Sequence, residues 1–190
     1  LLFSVKIKAN WAENTLSKMT IREKIGQLFM VGVSCLDKNK DFIKKSIKDC
    51  YFIGDEINNL ISKHKIGGLI FFESTIEKQA EFTNQAQFLS KTPLLIGQDC
   101  ENGLSMRLHN TIKFPKNMTL GAIKNNNLIY NMGKIIGEQC KLMGIHVNFA
   151  PVADINLNPN NLVIKTRSFG ESKYLVAEKS LCFANGLQDS

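Results

Sequence analysis

Four short apolar runs alternate with helical patterns along this chain, and that alternation constrains the fold more than any other feature. The runs are Phe29–Val33, Gly68–Phe72, Leu94–Gln98 and Ile145–Phe149. Short, nearly continuous apolar runs of this kind suit strands buried on both faces. Helices between such strands imply parallel pairing and a sheet covered on the outside. Two α/β architectures fit: an open doubly wound sheet, or part of a (β/α)8 TIM-type barrel. In either, chemistry gathers at the C-terminal ends of the strands.

Caps and spacing mark the helices. Thr20-Ile21-Arg22-Glu23 reads as a capping box, followed by Ile21, Ile25 and Leu28 on one face. Ile53, Ile57, Leu60 and Ile61 form a second amphipathic pattern, ending at His64, Lys65 and Gly67. Thr75 and Glu77 open a third helix, with Ala80, Phe82, Ala86 and Leu89 inward and Pro93 as its interruption. The Asn125–Asn127 run caps a fourth, whose apolar face is Leu128, Met132, Ile135, Ile136, Cys140 and Met143, with Gly144 as the stop. Ser172 caps the last, with Ala177, Leu181 and Ala184 inward.

Charge excludes some function classes. The 190 residues carry a formal net charge of +7, almost all of it from lysine; the arginines are Arg22, Arg107 and Arg167. The densest basic run, Lys38 to Lys48, is interleaved with Asp37, Asp41 and Asp49, which reads as a solvated helix face, so no nucleic-acid partner is expected. No run of about 18 apolar residues encodes a transmembrane segment. Five cysteines without a C-x-x-C, and the separated His64, His109 and His146, argue against a disulfide framework and a metal site. Neither G-x-G-x-x-G nor a Walker loop is present, so a nucleotide-binding domain is disfavoured.

Carboxylates follow three successive strands: Glu73 after the second, Asp99 and Glu101 after the third, Asp154 after the fourth. Such a ring suits a polyhydroxylated ligand. Glu73 reads better as a helix-start or solvent residue, and Asp154 serves equally well as a tie between strand ends. Arg107 and Arg167 lie in the loops after strands three and four, where a planar guanidinium can hold a carboxylate or a pair of sugar oxygens. The alternative for each is a loop salt bridge, for instance with Glu101 or Glu171.

The segment Ile96-Gly97-Gln98-Asp99-Cys100-Glu101-Asn102-Gly103-Leu104-Ser105-Met106-Arg107-Leu108 resembles the β-N-acetylhexosaminidase branch of glycoside hydrolase family 3. The resemblance continues through Phe114-Pro115, Met118-Thr119-Leu120-Gly121-Ala122, Asn148-Phe149-Ala150-Pro151-Val152-Ala153-Asp154, Asn158-Pro159 and Arg167-Ser168-Phe169-Gly170-Glu171. Upstream, Glu23 to Leu28 and Ile66 to Phe72 also fit, so the ordered set covers most of residues 16–188. The resemblance implies a (β/α)8 barrel, of which this chain is the first half, about four βα units, over residues 20–190 after an N-terminal extension at 1–19. It implies removal of terminal β-linked N-acetylglucosamine from glycans such as peptidoglycan fragments, by a retaining mechanism without a cofactor. By matching position, Asp99, Arg107 and Arg167 bind the sugar in the −1 subsite, with Glu101 and Asp154 supporting. Two departures stand out: Glu101-Asn102-Gly103 replaces the usual residues at the rim, and Glu171 is followed by Ser172.

The family's Lys-His-Phe-Pro-Gly-His-Gly segment, with its His acid/base, would follow directly after Ser190, and the nucleophilic Asp later still. No catalytic residue is therefore assigned among these 190 residues, and the chain alone is expected to be inactive. A non-catalytic sugar-binding role, or an inert truncated fragment lacking the acid/base and nucleophile, is the alternative. For the compartment, unpaired cysteines lean towards the cytoplasm. The apolar Leu1-Leu2-Phe3 followed by Lys6 and Lys8 resembles the tail of a secretory signal and leans towards the periplasm or cell envelope.

Overall fold

The structure is a computed structural model that describes residues 11–35 and 55–190. The basic run from Lys38 to Lys48, Cys50 and Ile53 lie outside the described residues. The described strands are β1 (Met30–Val33), β2 (Gly68–Phe71), β3 (Leu95–Gln98) and β4 (Val147–Asn148). They form one parallel sheet in the order β1-β2-β3-β4. Each new strand is added beside the last with no reversal. A doubly wound sheet reverses its order at a switch point, whereas a barrel wall is laid down sequentially. The topology is that of a partial (β/α)8 barrel. β4 is only two residues long and pairs with β3 alone, shorter than the five-residue run at 145–149 suggests.

The helices are α1 (11–18), α2 (Ile21–Gly26), α3 (Asp55–Ser62), α4 (Ile76–Leu89), α5 (Asn117–Gly121), α6 (Asn126–Leu142) and α7 (Lys173–Gln188). The expected caps are formed. Thr20 and Glu23 make a reciprocal capping box, Thr75 accepts from Lys78 N, Asn125 from Asn127 N and Ser172 from Leu175 N. These bonds satisfy N–H groups that the first helical turn leaves unpaired.

Alternation along the strands divides the sheet into two faces. Leu69, Phe71, Ile96 and Gln98 are buried beneath the helices. Phe71 meets Phe82 of α4 edge to face at 5.9 Å, and Gln79 of α4 donates to Gln98 Oε1 at 2.9 Å. The other face carries Met30, Leu95, Gly97 and Phe149. A Cβ on Gly97 would lie 2.9 Å from the Phe149 ring and 3.0 Å from Met30 Sδ. This inner face is still open, with Leu95 53% and Phe149 47% exposed.

Several helix faces differ from the expectation. In α7 the buried residues are Val176, Lys179, Phe183 and Gly186, while Ala177 and Leu181 are exposed and Ala184 only half-buried. The face is rotated because α7 packs on α6 through glycines: a Cβ on Gly186 would lie 2.1 Å from Tyr130 O, and one on Gly133 2.4 Å from Phe183 O. That close approach sets the helix rotation more strongly than hydropathy does. In α4 the buried face is Gln79, Thr83 and Ala86, and Leu89 is exposed. In α6, Ile129 is buried whereas Leu128 and Ile135 are exposed. In and just after α2, Ile21, Ile25 and Leu28 are exposed, with Ile21 and Ile25 lining an apolar cavity of about 580 Å³ together with Phe29 and Leu60.

Candidate functional site

Asp99 has the same parity as Leu95 and Gly97, so it continues the inner face one step beyond the end of β3. Cys100 turns the other way and is fully buried, and the hydrogen bond to Cys140 of α6, followed by burial, pushes its thiol up. Its backbone N–H donates to Asn148 Oδ1 at 2.9 Å, which ties the end of β3 to that of β4. The chain then turns at Gly103, whose φ of +93° lies in the region that favours glycine, and enters a short 3₁₀ turn at Leu104–Met106. The turn brings Arg107 back over the strand end, where its Nη2 donates to Asp99 Oδ2. Both side chains are mostly buried, at 20% and 24% exposed. The Arg107 guanidinium also lies over the Phe72 ring, 5.0 Å from its centroid. Its Nε is buried and has no hydrogen-bond partner.

Arg167 closes the other side. Its Nε lies 3.0 Å from both Glu101 carboxylate oxygens, and its Nη2 lies 2.6 Å from Oε1. This is the loop salt bridge that the sequence left open as the alternative for these arginines, and Glu101 rather than Glu171 is the partner. The Glu101 hydrogen bonds hold Arg167 protonated, and the fields of Glu101, Asp99 and Asp154 add to that. The guanidinium thus senses the carboxylates that follow both β3 and β4. Asn117, at the start of α5, donates to Arg167 O at 2.7 Å and holds the loop in place.

Asp154 is exposed; its backbone carbonyl accepts from Ser168 Oγ at 2.6 Å. Glu73 is also exposed, and its carbonyl accepts from Cys35 N and Ser34 Oγ. Asp99, Glu101, Arg107 and Arg167 are therefore brought together as two ion pairs. Asp154 stands at the edge, and Glu73 serves the loop backbone. Beside the Glu101–Arg167 pair, a cavity of about 330 Å³ runs between Asn102, Ser105, Lys113 and Asn117. Among the described residues, no cluster of three or more His, Cys, Asp or Glu side chains could hold a metal ion.

Sequence reasoning missed Phe72, Asn117 and Ser168. Phe72 had a usable signal, since it is the first residue past β2 and alternates in direction with buried Phe71. Ser168 lies inside the Arg167–Glu171 motif that carries the resemblance, whereas Asn117 acts on a backbone atom of a distant loop and left no signal.

The family model described as Glycosyl hydrolase family 3 N terminal domain matches residues 20–190. β-Hexosaminidase A of Pseudoalteromonas piscicida is 37% identical over 139 residues, covering 66% of this chain and 23% of its own length. A β-N-acetylglucosaminidase/β-glucosidase of Cellulomonas fimi is 27% identical over 178 residues, covering 94% of this chain and 29% of its own length. Among solved structures, the family 3 β-N-acetylglucosaminidase of Paenibacillus sp. str. FPU-7 superposes with a TM-score of 0.75 at 34% identity. That match covers 90% of this chain and 31% of the other. The chain thus spans less than a third of the length of these relatives.

Proposed function

The chain belongs to glycosyl hydrolase family 3, as an N-terminal domain, and from that premise we propose that the whole protein removes terminal β-linked N-acetylglucosamine from glycans such as peptidoglycan fragments. The observation that carries this reading is the Asp99–Arg107 ion pair at the end of β3, beside the Glu101–Arg167 pair. Asp99 would accept hydrogen bonds from two sugar hydroxyls through the lone pairs that Arg107 leaves unused. Arg107 and Arg167 would donate to hydroxyl or substituent oxygens. Glu101 holds Arg167, and Asp154 supports the edge. Because the arginines are already paired and partly buried, little ordering is required when the sugar arrives.

Retaining hydrolysis needs a nucleophile and an acid/base on opposite sides of the glycosidic bond. This half of the barrel supplies orientation instead. Contacts to the sugar accelerate the reaction only as far as they strengthen in the transition state. We assign neither the acid/base nor the nucleophile to a described residue.

The test is kinetic and uses the full-length protein. Asp99→Ala should lower kcat/KM for a chromogenic β-N-acetylglucosaminide about 100-fold, or about 2.7 kcal/mol, the worth of one or two charged hydrogen bonds. An unchanged kcat/KM removes Asp99 from the site. Comparison with the matching β-glucoside tests the acetamido preference, since one relative is named for both activities.

A further inference from the structure

A second cavity, of about 360 Å³, lies at the opposite end of the sheet from the carboxylates. Its walls are α1, Glu23 and Gln27 of the α2 region, and the turns that lead into β2 and β3, at Lys65 and Lys91. Trp11, the only tryptophan in the chain, stands on it and is 55% exposed. Lys18, Lys65 and Lys91 line the same cavity. Among the described residues, no hydrogen bond or ion pair engages any of their three ammonium groups. Glu23 is the one carboxylate in the lining, and it is already bound by the backbone N–H and the hydroxyl of Thr20. The fields of Lys91 and Lys65 lower its pKa further. Three lysines and a tryptophan therefore line one cavity with a single, already engaged carboxylate.

That combination selects a ligand class. A small inorganic anion would use the lysines and leave the indole idle. A neutral glycan would use the indole and leave the lysines idle. A carboxylated sugar uses both: its C–H face lies on the ring and its carboxylate meets the ammonium groups. We propose that this cavity is a second, non-catalytic carbohydrate site that holds an acidic glycan through a carboxylated sugar unit. It rests on the proposed function only for the class of polymer, since a protein acting on glycans gains from keeping an acidic chain close by.

The experiment is isothermal titration of the full-length protein with a galacturonate trisaccharide, with cellotriose as the neutral control and a dT oligonucleotide as a second polyanion. Binding of the galacturonate alone is expected. Trp11→Ala and the Lys18→Ala/Lys91→Ala double variant should each weaken it about tenfold. Trp11→Phe should keep more of the affinity than Trp11→Ala. Lys124→Ala/Lys134→Ala removes the same charge from exposed positions before and on α6 and should leave binding unchanged. Hydrolysis of a small chromogenic glycoside should be the same in the Trp11 variants as in the parent. A parent that binds galacturonate but hydrolyses nothing would refute the enzymatic reading and leave this one standing. The second site is overturned by absent binding, by binding that ignores Trp11→Ala, by equal loss in the Lys124/Lys134 variant, or by equally tight, Trp11-dependent binding of the oligonucleotide.

Discussion

Removing Arg167 should destabilise the protein more than neutralising Glu101, although the two form one ion pair. The asymmetry comes from burial: the Glu101 side chain is 7% exposed and that of Arg167 is 38%. Charge centres about 4 Å apart attract by about 1 kcal/mol in water and about 4 kcal/mol at the effective dielectric of a protein interior. With one partner more than a third exposed, solvent screening draws the pair towards the lower figure. Arg167→Ala strands a buried carboxylate whose only ion-pair partner among the described residues was this guanidinium, at a cost of about 3 kcal/mol. Glu101→Gln keeps the shape and frees a guanidinium that can turn to water, at a cost of about 1 kcal/mol. The double variant strands no charge and should be more stable than Arg167→Ala alone. Urea unfolding of the full-length protein at neutral pH, with midpoints compared at matched slopes, reads all three. A Glu101→Gln loss equal to or greater than that of Arg167→Ala would refute the reasoning, as would a double variant weaker than both.

Other consequences can be checked in the same way. Glu23 is held below its ordinary value of 4.5, first by the Thr20 backbone N–H and then by the Thr20 hydroxyl. A carboxylate lowered in the folded state stabilises above its unfolded pKa and loses that contribution as pH falls through the folded value. Stability below pH 4.5 should therefore fall less steeply in Glu23→Gln, as read by thermal melts across an acid series. Gly186→Ala should cost about 2–3 kcal/mol by forcing α7 off α6, measured as a shift in the unfolding midpoint. Lys179 is 3% exposed and donates to Ile123 O and Asn126 Oδ1. Lys179→Ala leaves both acceptors without that donor and should cost about 2 kcal/mol, with faster amide exchange at the start of α6.

The order of helices and strands could be read from the chain because the signals are local. Thr20, Thr75, Asn125 and Ser172 cap helices within three residues of themselves, and the apolar runs mark the strands wherever the rest of the chain goes. Asp99 and Arg107 lie eight residues apart and the resemblance named both as site residues, but the salt-bridge partners the sequence offered were Glu101 and Glu171, not Asp99. Membership of the parallel α/β class was equally legible, but the residues alone left barrel and doubly wound sheet open. The sequential strand order decided between them.

Glu101 and Arg167 are 66 residues apart, and the sequence offered Glu101 and Glu171 alike as partners for the arginine without choosing between them. They meet because β3 and β4 are neighbours in register and deliver their loops to the same place. Helix rotation is non-local for the same reason. The Gly133 and Gly186 contacts turn α7 so that Lys179 is buried and Leu181 exposed, which hydropathy along the helix does not encode. The chain by itself determined where its elements begin, the end of the sheet at which polar groups gather, and the family it resembles. Which charges pair and which helix face is buried were decided by tertiary structure, because both depend on distances between segments far apart in sequence.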